Sequence, residues 1–398
     1  MNPSLHRLLQ AAQAPERRIA GLMAGTSLDG LDIALCRIAG CGRHTQVVLE
    51  QFATIPFAED VKARIRAVFA RRQVDFQHLT LLNAWLGRLH GRLVADQLAD
   101  WGVAPETVDA IASHGQTVFH APRILHGLAD YPNATLQIAD GDHIAWTTGI
   151  VTLSDFRQKH VAAGGEGAPL AVYGDYYLFA HPSENRILLN LGGIANFTYL
   201  PADAFADSVF VTDTGPGNTL LDALARQALG RPYDANGALA AAGRPHEGLL
   251  KALKANSFFK APMPRTTGPE LFNLEYVTRA RHQAGVETLS DADLMATLVR
   301  FSAETAAEAI LQAAGADGVY SVYLSGGGMH NPVLTQALRA QLPQFNFSTT
   351  DALGIPGDAK EAILFAVLAN ETLAGDGAGF GGRPGVPAVT MGKISLPR

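Results

Sequence analysis

Cysteine is almost absent from this chain: only Cys36 and Cys41 occur among 398 residues. Two cysteines are too few for a disulfide-based scaffold or for a zinc site with four cysteine ligands. A basic excess is also missing, because 37 acidic residues outnumber 31 basic ones and the formal net charge is −6. Nucleic-acid-binding proteins normally present a basic face, so we expect no nucleic-acid partner.

Long apolar runs are missing as well. No stretch approaches the roughly 18–20 apolar residues of a membrane span, and residues 1–18 lack the long apolar core of a secretory signal. Hydrophobic residues nevertheless make up 47% of the chain and charged residues 17%, which is enough apolar surface for real cores. We therefore expect a cytoplasmic protein with no membrane partner and, at roughly 100–200 residues per domain, two domains.

Strands rich in β-branched residues alternate with helical patterns, and this alternation predicts an α/β fold. The predicted strands cover residues 18–25, 31–38, 47–57, 111–116, 187–191, 208–212, 319–324 and 389–394. The predicted helices cover residues 58–72, 78–100, 218–229 and 357–373, with two more beginning at Ser290 and Asn331. No tandem repeat is evident. We place one domain at residues 1–148 with 386–398, and the other at residues 149–385.

Three predicted strands lead into glycine-rich turns, at residues 25–30, 213–218 and 325–328. Glycine lets backbone N–H groups approach a ligand closely, and turns of such groups bind anions. A single turn of this kind is usually only a tight connection. Three of them, two carrying an aspartate, predict a phosphate-rich ligand held between the domains.

The first turn, Gly25-Thr26-Ser27-Leu28-Asp29-Gly30, has the glycine spacing of a P-loop. Leu31 and Asp32 follow it, however, where a P-loop requires Lys and then Ser or Thr, and the next segment is predicted to be a strand. We therefore predict a β-hairpin that cradles phosphate, with a plain hairpin turn as the alternative. Hydroxyl groups of Thr26 and Ser27 can donate to phosphate, and Asp29 could hold hydrated Mg²⁺.

The second turn begins with Asp213 and continues through Gly215, Gly217 and Asn218. Asp213 lies at the end of a predicted strand, where sites on α/β sheets are usually found, so it is a candidate general base. The alternative is an aspartate that only begins a turn or helix. The third turn, residues 325–328, could likewise be a simple strand-to-helix connection, and neither turn completes a dinucleotide-binding fingerprint.

Polar clusters suited to a sugar occur at residues 113–117, 155–157 and 164–170. The last of these is glycine-rich, so its backbone amides can reach sugar hydroxyl groups. The alternative for His114 is a purely structural role. The 13 histidines show no spacing typical of a metal site.

Taken together and in this order, these segments resemble the anhydro-N-acetylmuramic acid kinase family. The resemblance rests on residues 21–32, 113–117, 155–157, 164–170, 190–196, 213–218, 326–328 and 360–362, and so covers nearly the whole chain. The sequence departs from the family pattern at Ala24, His160, Glu166, Arg265 and Pro269, where the family usually has Ser, Asp, Gln, Lys and Arg.

The resemblance implies the two-domain actin-like ATPase (sugar kinase) fold, an interdomain active-site cleft, and ATP and Mg²⁺ as cofactors. By matching motif, Asp213 corresponds to the catalytic base. Residues implied to face the phosphates are Gly25, Thr26, Ser27, Leu28, Asp29, Gly30, Leu31, Asp32, Gly215, Gly217 and Asn218. Gly326, Gly327 and Gly328 would lie on the nucleoside side. Residues implied to contact the sugar are His114, Gln116, Thr117, Asp155, Arg157, Gly165, Glu166 and Glu361.

The family reaction opens the 1,6-anhydro ring with water while the 6-oxygen takes the γ-phosphoryl group of ATP, giving N-acetylmuramic acid 6-phosphate and ADP in cell-wall recycling. Ordinary glycoside hydrolysis needs two carboxyl groups, but here phosphorus captures the leaving oxygen, so one aspartate suffices. Two alternatives stay open: the same chemistry on another anhydro sugar such as levoglucosan, and a nucleotide-gated binding protein of the actin or chaperone type. A homodimer is the family-level expectation.

Overall fold

The computed structural model describes residues 2–202, 208–315, 319–376, 380–382 and 385–398. It divides into two compact units: unit 1 comprises Met1–Phe179 and Gly354–Arg398, and unit 2 comprises Ala180–Leu353. These boundaries differ from the predicted ones, since residues 149–179 and 354–385 belong to unit 1. The chain therefore leaves unit 1 after Phe179 and returns to it at Gly354 for its last helix and the last strand of its sheet.

The strands, in chain order, are β1 Glu16–Ala24, β2 Gly30–Ala39, β3 Gln46–Pro56, β4 Ala110–Ala121, β5 Ala134–Ile138, β6 Thr152–Ser154, β7 Arg186–Leu191, β8 Ile194–Leu200, β9 Phe210–Pro216, β10 Ser321–Ser325, β11 Asn346–Thr349 and β12 Lys393–Ser395. The helices are α1 Pro3–Gln13, α2 Glu59–Arg66, α3 Phe76–Asp100, α4 Arg123–His126, α5 Gly141–Thr148, α6 Phe156–Ala162, α7 Ala171–Phe179, α8 Thr219–Leu229, α9 Ala238–Ala242, α10 Glu247–Leu253, α11 Leu274–Gln283, α12 Asp291–Ala314, α13 Pro332–Gln341 and α14 Lys360–Ala374.

The sheet of unit 1 has the strand order β12-β6-β4-β1-β2-β3, with β5 paired to β4. Strands β1, β2 and β3 form an antiparallel meander, whereas β4 runs parallel to β1 and β6 parallel to β4. Helix α3 buries Leu82, Leu86 and Val94, and helix α14 packs on β1. A Cβ atom at Gly21 would lie 1.9 Å from the carbonyl oxygen of Ala362. Glycine in β1 therefore lets α14 approach the sheet, which explains why this C-terminal helix belongs to unit 1.

The sheet of unit 2 has the order β11-β10-β7-β8-β9. Strands β7, β8 and β9 again form an antiparallel meander. Strand β10 runs parallel to β7, and β11 runs parallel to β10. Helix α12 begins with Ser290 as its N-cap, and the Ser290 hydroxyl oxygen accepts a hydrogen bond from the Asp293 N–H group, as the predicted cap requires. The core beside α12 is aromatic, with Phe272 and Phe301 fully buried.

Both units thus repeat one topology: β3-β2-β1-β4-β6 in unit 1 corresponds strand for strand to β9-β8-β7-β10-β11 in unit 2. The predicted α/β class is confirmed. Within the described part of the chain, no helix has both the length and the apolar character that crossing a bilayer would require.

Candidate active site

Asp213 lies inside strand β9, which continues to Pro216. The prediction that the strand ends at residue 212 is therefore wrong, because residues 213–216 of the predicted turn belong to the strand. The register between β8 and β9 shifts at this point, because Asn196 is opposite Asp213 whereas Ala195 is opposite Gly215. The extra residue makes a β-bulge, and bulges bend a strand and redirect its side chains, commonly beside active sites.

Backbone groups hold both the main chain and the side chain of Asp213. Its N–H group donates to the carbonyl oxygen of Arg265 at 2.9 Å, and its Oδ2 atom accepts from the N–H group of Thr267 at 2.8 Å. Burial raises the pKa of Asp213 to about 6, the Thr267 N–H group acts in the opposite direction, and the charge of Glu270 adds to the increase. A fixed, partly desolvated carboxylate with this pKa suits a general base near neutral pH.

Arg265 organises the segment that holds Asp213. Its Nη1 atom donates to the carbonyl oxygens of Phe258, Phe259 and Ala261 at 3.1, 2.9 and 3.1 Å. The guanidinium group also lies over the ring of Phe258, 4.8 Å from its centroid. An arginine at this position thus replaces the usual lysine of the family with a planar group that contacts several carbonyl oxygens at once. The sequence indicated that Arg265 departs from the pattern but not what it does. Nothing in the sequence indicated that the N–H group of Thr267 would bind Asp213.

Backbone amides at the end of β9 are already hydrogen-bonded within unit 2. The N–H groups of Gly217 and Asn218 donate to the carbonyl oxygens of Gly193 and Gly192, each at 2.8 Å. A Cβ atom at Gly217 would lie 2.3 Å from the Gly192 carbonyl oxygen, so this glycine serves close packing. The N–H groups of residues 217 and 218 are therefore not available to bind phosphate, contrary to the prediction that the N–H groups of this turn bind an anion.

A cavity of about 570 Å³ opens beside the third glycine-rich turn. A Cβ atom at Gly327 would meet nothing within 4 Å, whereas one at Gly328 would lie 2.8 Å from the Cβ of Leu191. The cavity has the size of a small-molecule site. Its lining consists of Asn218, Leu221, Asp222, Tyr233, Asp234, Ala235, Asn236, Gly327, His330 and Asn331. Two residues singled out from the sequence, Asn218 and Gly327, thus meet around one cavity, while Gly326 and Gly328 pack against the end of β7.

The first glycine-rich turn joins β1 to β2 as an antiparallel hairpin, as predicted. The side chains of Thr26, Ser27 and Asp29 are exposed. Leu28 and Leu31 are buried in the core of unit 1, so their side chains cannot contact a phosphate. The hairpin therefore presents two hydroxyl groups and one carboxylate to a ligand, together with the backbone around them.

Two carboxylates, those of Asp29 and Asp32, lie at and just after the first glycine-rich turn. The described residues contain no group of three or more histidine, cysteine, aspartate or glutamate side chains that could hold a metal. Mg²⁺ that accompanies ATP usually needs only one or two carboxylates, because phosphate oxygens and water complete its shell. Burial raises the pKa of Asp32, and the charges of Asp358 and Asp29 add to this increase. A nearby cation would relieve that repulsion, so Asp29 and Asp32 fit the ion.

His114 and Arg157, both predicted to contact the sugar, are hydrogen-bonded to each other. The Nδ1 atom of His114 lies 2.9 Å from the Gly115 carbonyl oxygen, which can only accept, so Nδ1 carries the proton. The Nε2 atom then accepts from Nε of Arg157 at 3.0 Å. Burial, followed by the Arg157 charge, lowers the pKa of His114 to about 3. His114 is thus a neutral, buried residue that orients Arg157.

The glycine-rich segment at residues 164–168 is held by Arg157 and His160. Arg157 donates from Nη1 to the Gly167 carbonyl oxygen at 2.6 Å, and the Gly167 N–H group donates to Nδ1 of His160 at 2.9 Å. A Cβ atom at Gly165 would lie 2.1 Å from the His160 ring, so glycine is required there. Glu166 projects into solvent between these anchors. His160, a departure from the family pattern, therefore supports the segment directly.

Two further predicted sugar residues follow His114 on β4. Gln116 donates from Nε2 to the Gly25 carbonyl oxygen at 3.3 Å, which ties β4 to the first turn. The hydroxyl group of Thr117 accepts from Nε2 of Gln137 at 3.2 Å. The structure thus brings the first glycine-rich turn and the polar middle of β4 together.

The remaining predicted sugar residues are Asp155 and Glu361. Asp155 forms an ion pair with Lys393 on the terminal strand, and its backbone is left-handed, with φ of 55°. Burial raises the pKa of Glu361, with opposing contributions from Lys360 and Arg157. Glu361 is therefore electrostatically linked to Arg157, whereas Asp155 contacts a residue that sequence analysis had not singled out.

Comparison with known proteins identifies the family. The family model described as anhydro-N-acetylmuramic acid kinase matches residues 17–386. The anhydro-N-acetylmuramic acid kinase of Pseudoalteromonas atlantica is 52% identical, with all of both chains covered. The one from Caldanaerobacter subterraneus subsp. tengcongensis is 37% identical, covering 98% of this chain and all of the relative. The chain belongs to the anhydro-N-acetylmuramic acid kinase family, and the resemblance inferred from its motifs is confirmed.

Solved structures with a related arrangement are much more distant. The activator of 2-hydroxyisocaproyl-CoA dehydratase from Clostridium difficile, with bound ADPNP, is 12% identical with a TM-score of 0.38, covering 89% of this chain and 95% of that one. Hexokinase from Schistosoma mansoni, in complex with glucose, is 11% identical with a TM-score of 0.35, covering 90% and 86%.

Proposed function

We propose that this protein uses ATP to open and phosphorylate 1,6-anhydro-N-acetylmuramic acid, giving N-acetylmuramic acid 6-phosphate and ADP. Family membership supports the kinase class. The observation that carries the mechanism is the carboxylate of Asp213, fixed by the Thr267 N–H group, with its pKa raised to about 6. The polar cluster around Arg157 in unit 1 supports a sugar as the acceptor.

In the proposed reaction Asp213 removes a proton from water as the water oxygen forms a bond to C1 of the sugar. The bond between C1 and O6 breaks, and O6 forms a bond to the γ-phosphorus while the bond from that phosphorus to ADP breaks. Thr267 holds Oδ2, and in the described structure no hydrogen bond engages Oδ1, which is therefore free to accept the proton. No general acid is needed, because phosphorus takes the oxygen that would otherwise require protonation.

We assign the nucleoside to the cavity lined by Asn218 and Gly327 and the phosphates to the hairpin that bears Thr26 and Ser27. Asp29 would hold hydrated Mg²⁺, and the bound ion would neutralise phosphate charge. Thr26 and Ser27 would orient the phosphate oxygens through their hydroxyl groups. A cytoplasmic location and a homodimer remain predictions.

The first experiment is coupled ADP release with ATP and Mg²⁺, comparing 1,6-anhydro-N-acetylmuramic acid, levoglucosan and no sugar. Asp213→Asn should lower kcat by at least about 10²–10⁴-fold, the range of general-base catalysis. The exposed Asp96→Asn on α3 is the matched control. Because Asp213 must be deprotonated to act, the kcat/KM of the wild type should fall as the pH drops below about 6.

Each outcome has a distinct meaning. Turnover with levoglucosan alone would keep the chemistry and change the substrate. Equal, slow ADP release under all three conditions would contradict the kinase assignment and favour a nucleotide-gated binding protein. Turnover of Asp213→Asn close to that of the wild type would remove Asp213 from the mechanism.

A further inference from the structure

Two carboxylates, those of Asp222 and Asp234, line the cavity of about 570 Å³ in unit 2 to which we assign the nucleoside. We call it the nucleoside cavity. The proposed reaction gives neither carboxylate a role. A buried or half-buried carboxylate needs hydrogen-bond donors to replace the water that it loses, so the donors around each one show what it does.

The carboxylate of Asp234 is engaged by the protein. Its Oδ1 atom accepts a hydrogen bond from the Leu239 N–H group at 2.9 Å, and its Oδ2 atom accepts one from the Ala240 N–H group at 3.0 Å. Both bonds tie Asp234 to the first turn of α9. Asn331 on the cavity wall is engaged in the same way, since its Oδ1 atom accepts from two N–H groups at the start of α13. These two side chains therefore shape the wall of the cavity.

The carboxylate of Asp222 has no such partners. Within the described part of the chain, no group donates a hydrogen bond to it and no cation lies within ion-pair distance. Burial raises the pKa of Asp222, and the charge of Arg226, one turn further along α8, opposes this increase. The fold thus takes water away from the carboxylate without supplying a donor in exchange. A ligand that donates hydrogen bonds would restore what burial removes.

The position of Asp222 on α8 is fixed, and other parts of the cavity complement it. Asp222 lies one helical turn after Asn218, which also lines the cavity and whose Nδ2 atom donates to the Leu191 carbonyl oxygen at 2.8 Å. The ring of Tyr233 is 60% exposed and offers an aromatic surface to a flat base. The cavity therefore combines an aromatic surface with a hydrogen-bond acceptor, which suits the two parts of a nucleoside: a planar base and a sugar with hydroxyl groups.

We propose that Asp222 binds the ribose of ATP by accepting hydrogen bonds from its 2′- and 3′-hydroxyl groups. Neighbouring hydroxyl groups can donate to the two oxygens of one carboxylate, and hydrogen bonds to a charged acceptor are stronger than neutral ones. A carboxylate also recognises a ribose hydroxyl group in dinucleotide-binding folds. This inference rests on the proposed function and deepens it, because it makes Asp222 the residue that distinguishes a ribonucleotide from a deoxyribonucleotide.

The test compares ATP, 2′-deoxyATP and 3′-deoxyATP as phosphoryl donors to 1,6-anhydro-N-acetylmuramic acid. For the wild type, KM should be roughly 10-fold higher with either deoxynucleotide than with ATP, the value of one hydrogen bond to a charged group. Asp222→Ala should raise KM for ATP roughly 10- to 100-fold and make the three nucleotides equal. Asp222→Asn keeps one acceptor oxygen and should lie between the two. The kcat should not change, because the ribose takes no part in the bonds that form and break.

Asp291→Asn is the matched control, because Asp291 is an exposed aspartate of unit 2 outside the cavity. Asp222 also lies in the first turn of α8, where a carboxylate favours the helix, so thermal unfolding of each variant separates a loss of stability from a loss of binding.

A wild type that uses the three nucleotides equally, or an Asp222→Ala variant that still prefers ATP by the wild-type factor, would overturn the inference. Absence of sugar-dependent turnover with every nucleotide would instead contradict the proposed function. Calorimetric affinities of the wild type and Asp222→Ala for the same three nucleotides would then still test the contact with ribose, since they need no sugar.

Discussion

The two units share one strand order but differ in the titratable groups that they bury. Unit 1 buries His90, His114 and His160 close to its sheet, and burial lowers the pKa of each of them. Both units bury aromatic rings completely, such as Phe156 in unit 1 and Phe272 in unit 2. The candidate base of unit 2, Asp213, is only partly buried and has a raised pKa.

This difference shows that topology sets where strands end but not which chemistry their ends carry. In unit 1, β4 supplies the neutral His114, and the helix after β6 supplies Arg157, which donates a hydrogen bond to it. This arrangement is suited to recognition. In unit 2 the bulged end of β9 carries the candidate base, and a cavity opens beside the glycines after β10. The comparison can be sharpened by variants that affect one unit and leave the other unchanged.

The largest effect on stability is expected from glycine in unit 2. Gly217→Ala would place a Cβ atom 2.3 Å from the Gly192 carbonyl oxygen, so the free energy of unfolding should fall by about 3 kcal/mol, the upper range for overpacking. The Cβ atom added by Gly327→Ala would meet nothing within 4 Å, so the free energy of unfolding should not change. The KM for ATP should rise, because Gly327 lines the proposed nucleoside cavity. Urea unfolding and ADP-release kinetics measure the two quantities. Equal stability of both variants would contradict the packing role of Gly217.

A smaller effect, on recognition, is expected from Arg157 in unit 1. Arg157→Gln leaves Nε2 of His114 and the Gly167 carbonyl oxygen without their partner. We expect kcat/KM for the sugar to fall about 30-fold, equivalent to a charged hydrogen bond of about 2 kcal/mol. KM for ATP should not change. The control is Lys159→Gln, an exposed cation on the same helix. If kcat for ATP hydrolysis without sugar changed equally, Arg157 would not be a sugar residue.

The smallest effect concerns acid stability. His90 is fully buried, and neither of its ring nitrogens has a partner within the described residues. Burial lowers its pKa to about 4 from 6.5, so protonation favours the unfolded state, and stability is lost as the pH falls from 6.5 towards 4. Between pH 7.5 and 5.5, His90→Leu should remove about 1.4 kcal/mol of this loss. Urea unfolding at both pH values tests this. An unchanged pH dependence would show that His90 does not titrate on unfolding.

Local signals in the sequence predicted several elements correctly. The glycine and polar residues at positions 25–30 predicted the β1–β2 hairpin, and the helices predicted to begin at Ser290 and Asn331 are α12 and α13, with Pro332 as the first residue of α13. Each of these features depends on neighbouring residues alone: a turn conformation, a side-chain cap, or a fixed φ at the first helical position. The ordered motifs also predicted the family.

Tertiary structure decided what depends on distant partners. Strand β9 continues through Asp213 because β8 pairs with it, and Asp213 has a raised pKa because the fold buries it and brings the charge of Glu270 near it. The unit boundary follows from the packing of α14 on β1. Local sequence therefore determined the turns, caps and motifs of this protein. Burial, strand pairing and long-range contacts decided what its charged groups do, because desolvation and hydrogen bonding act between residues that are far apart in the chain.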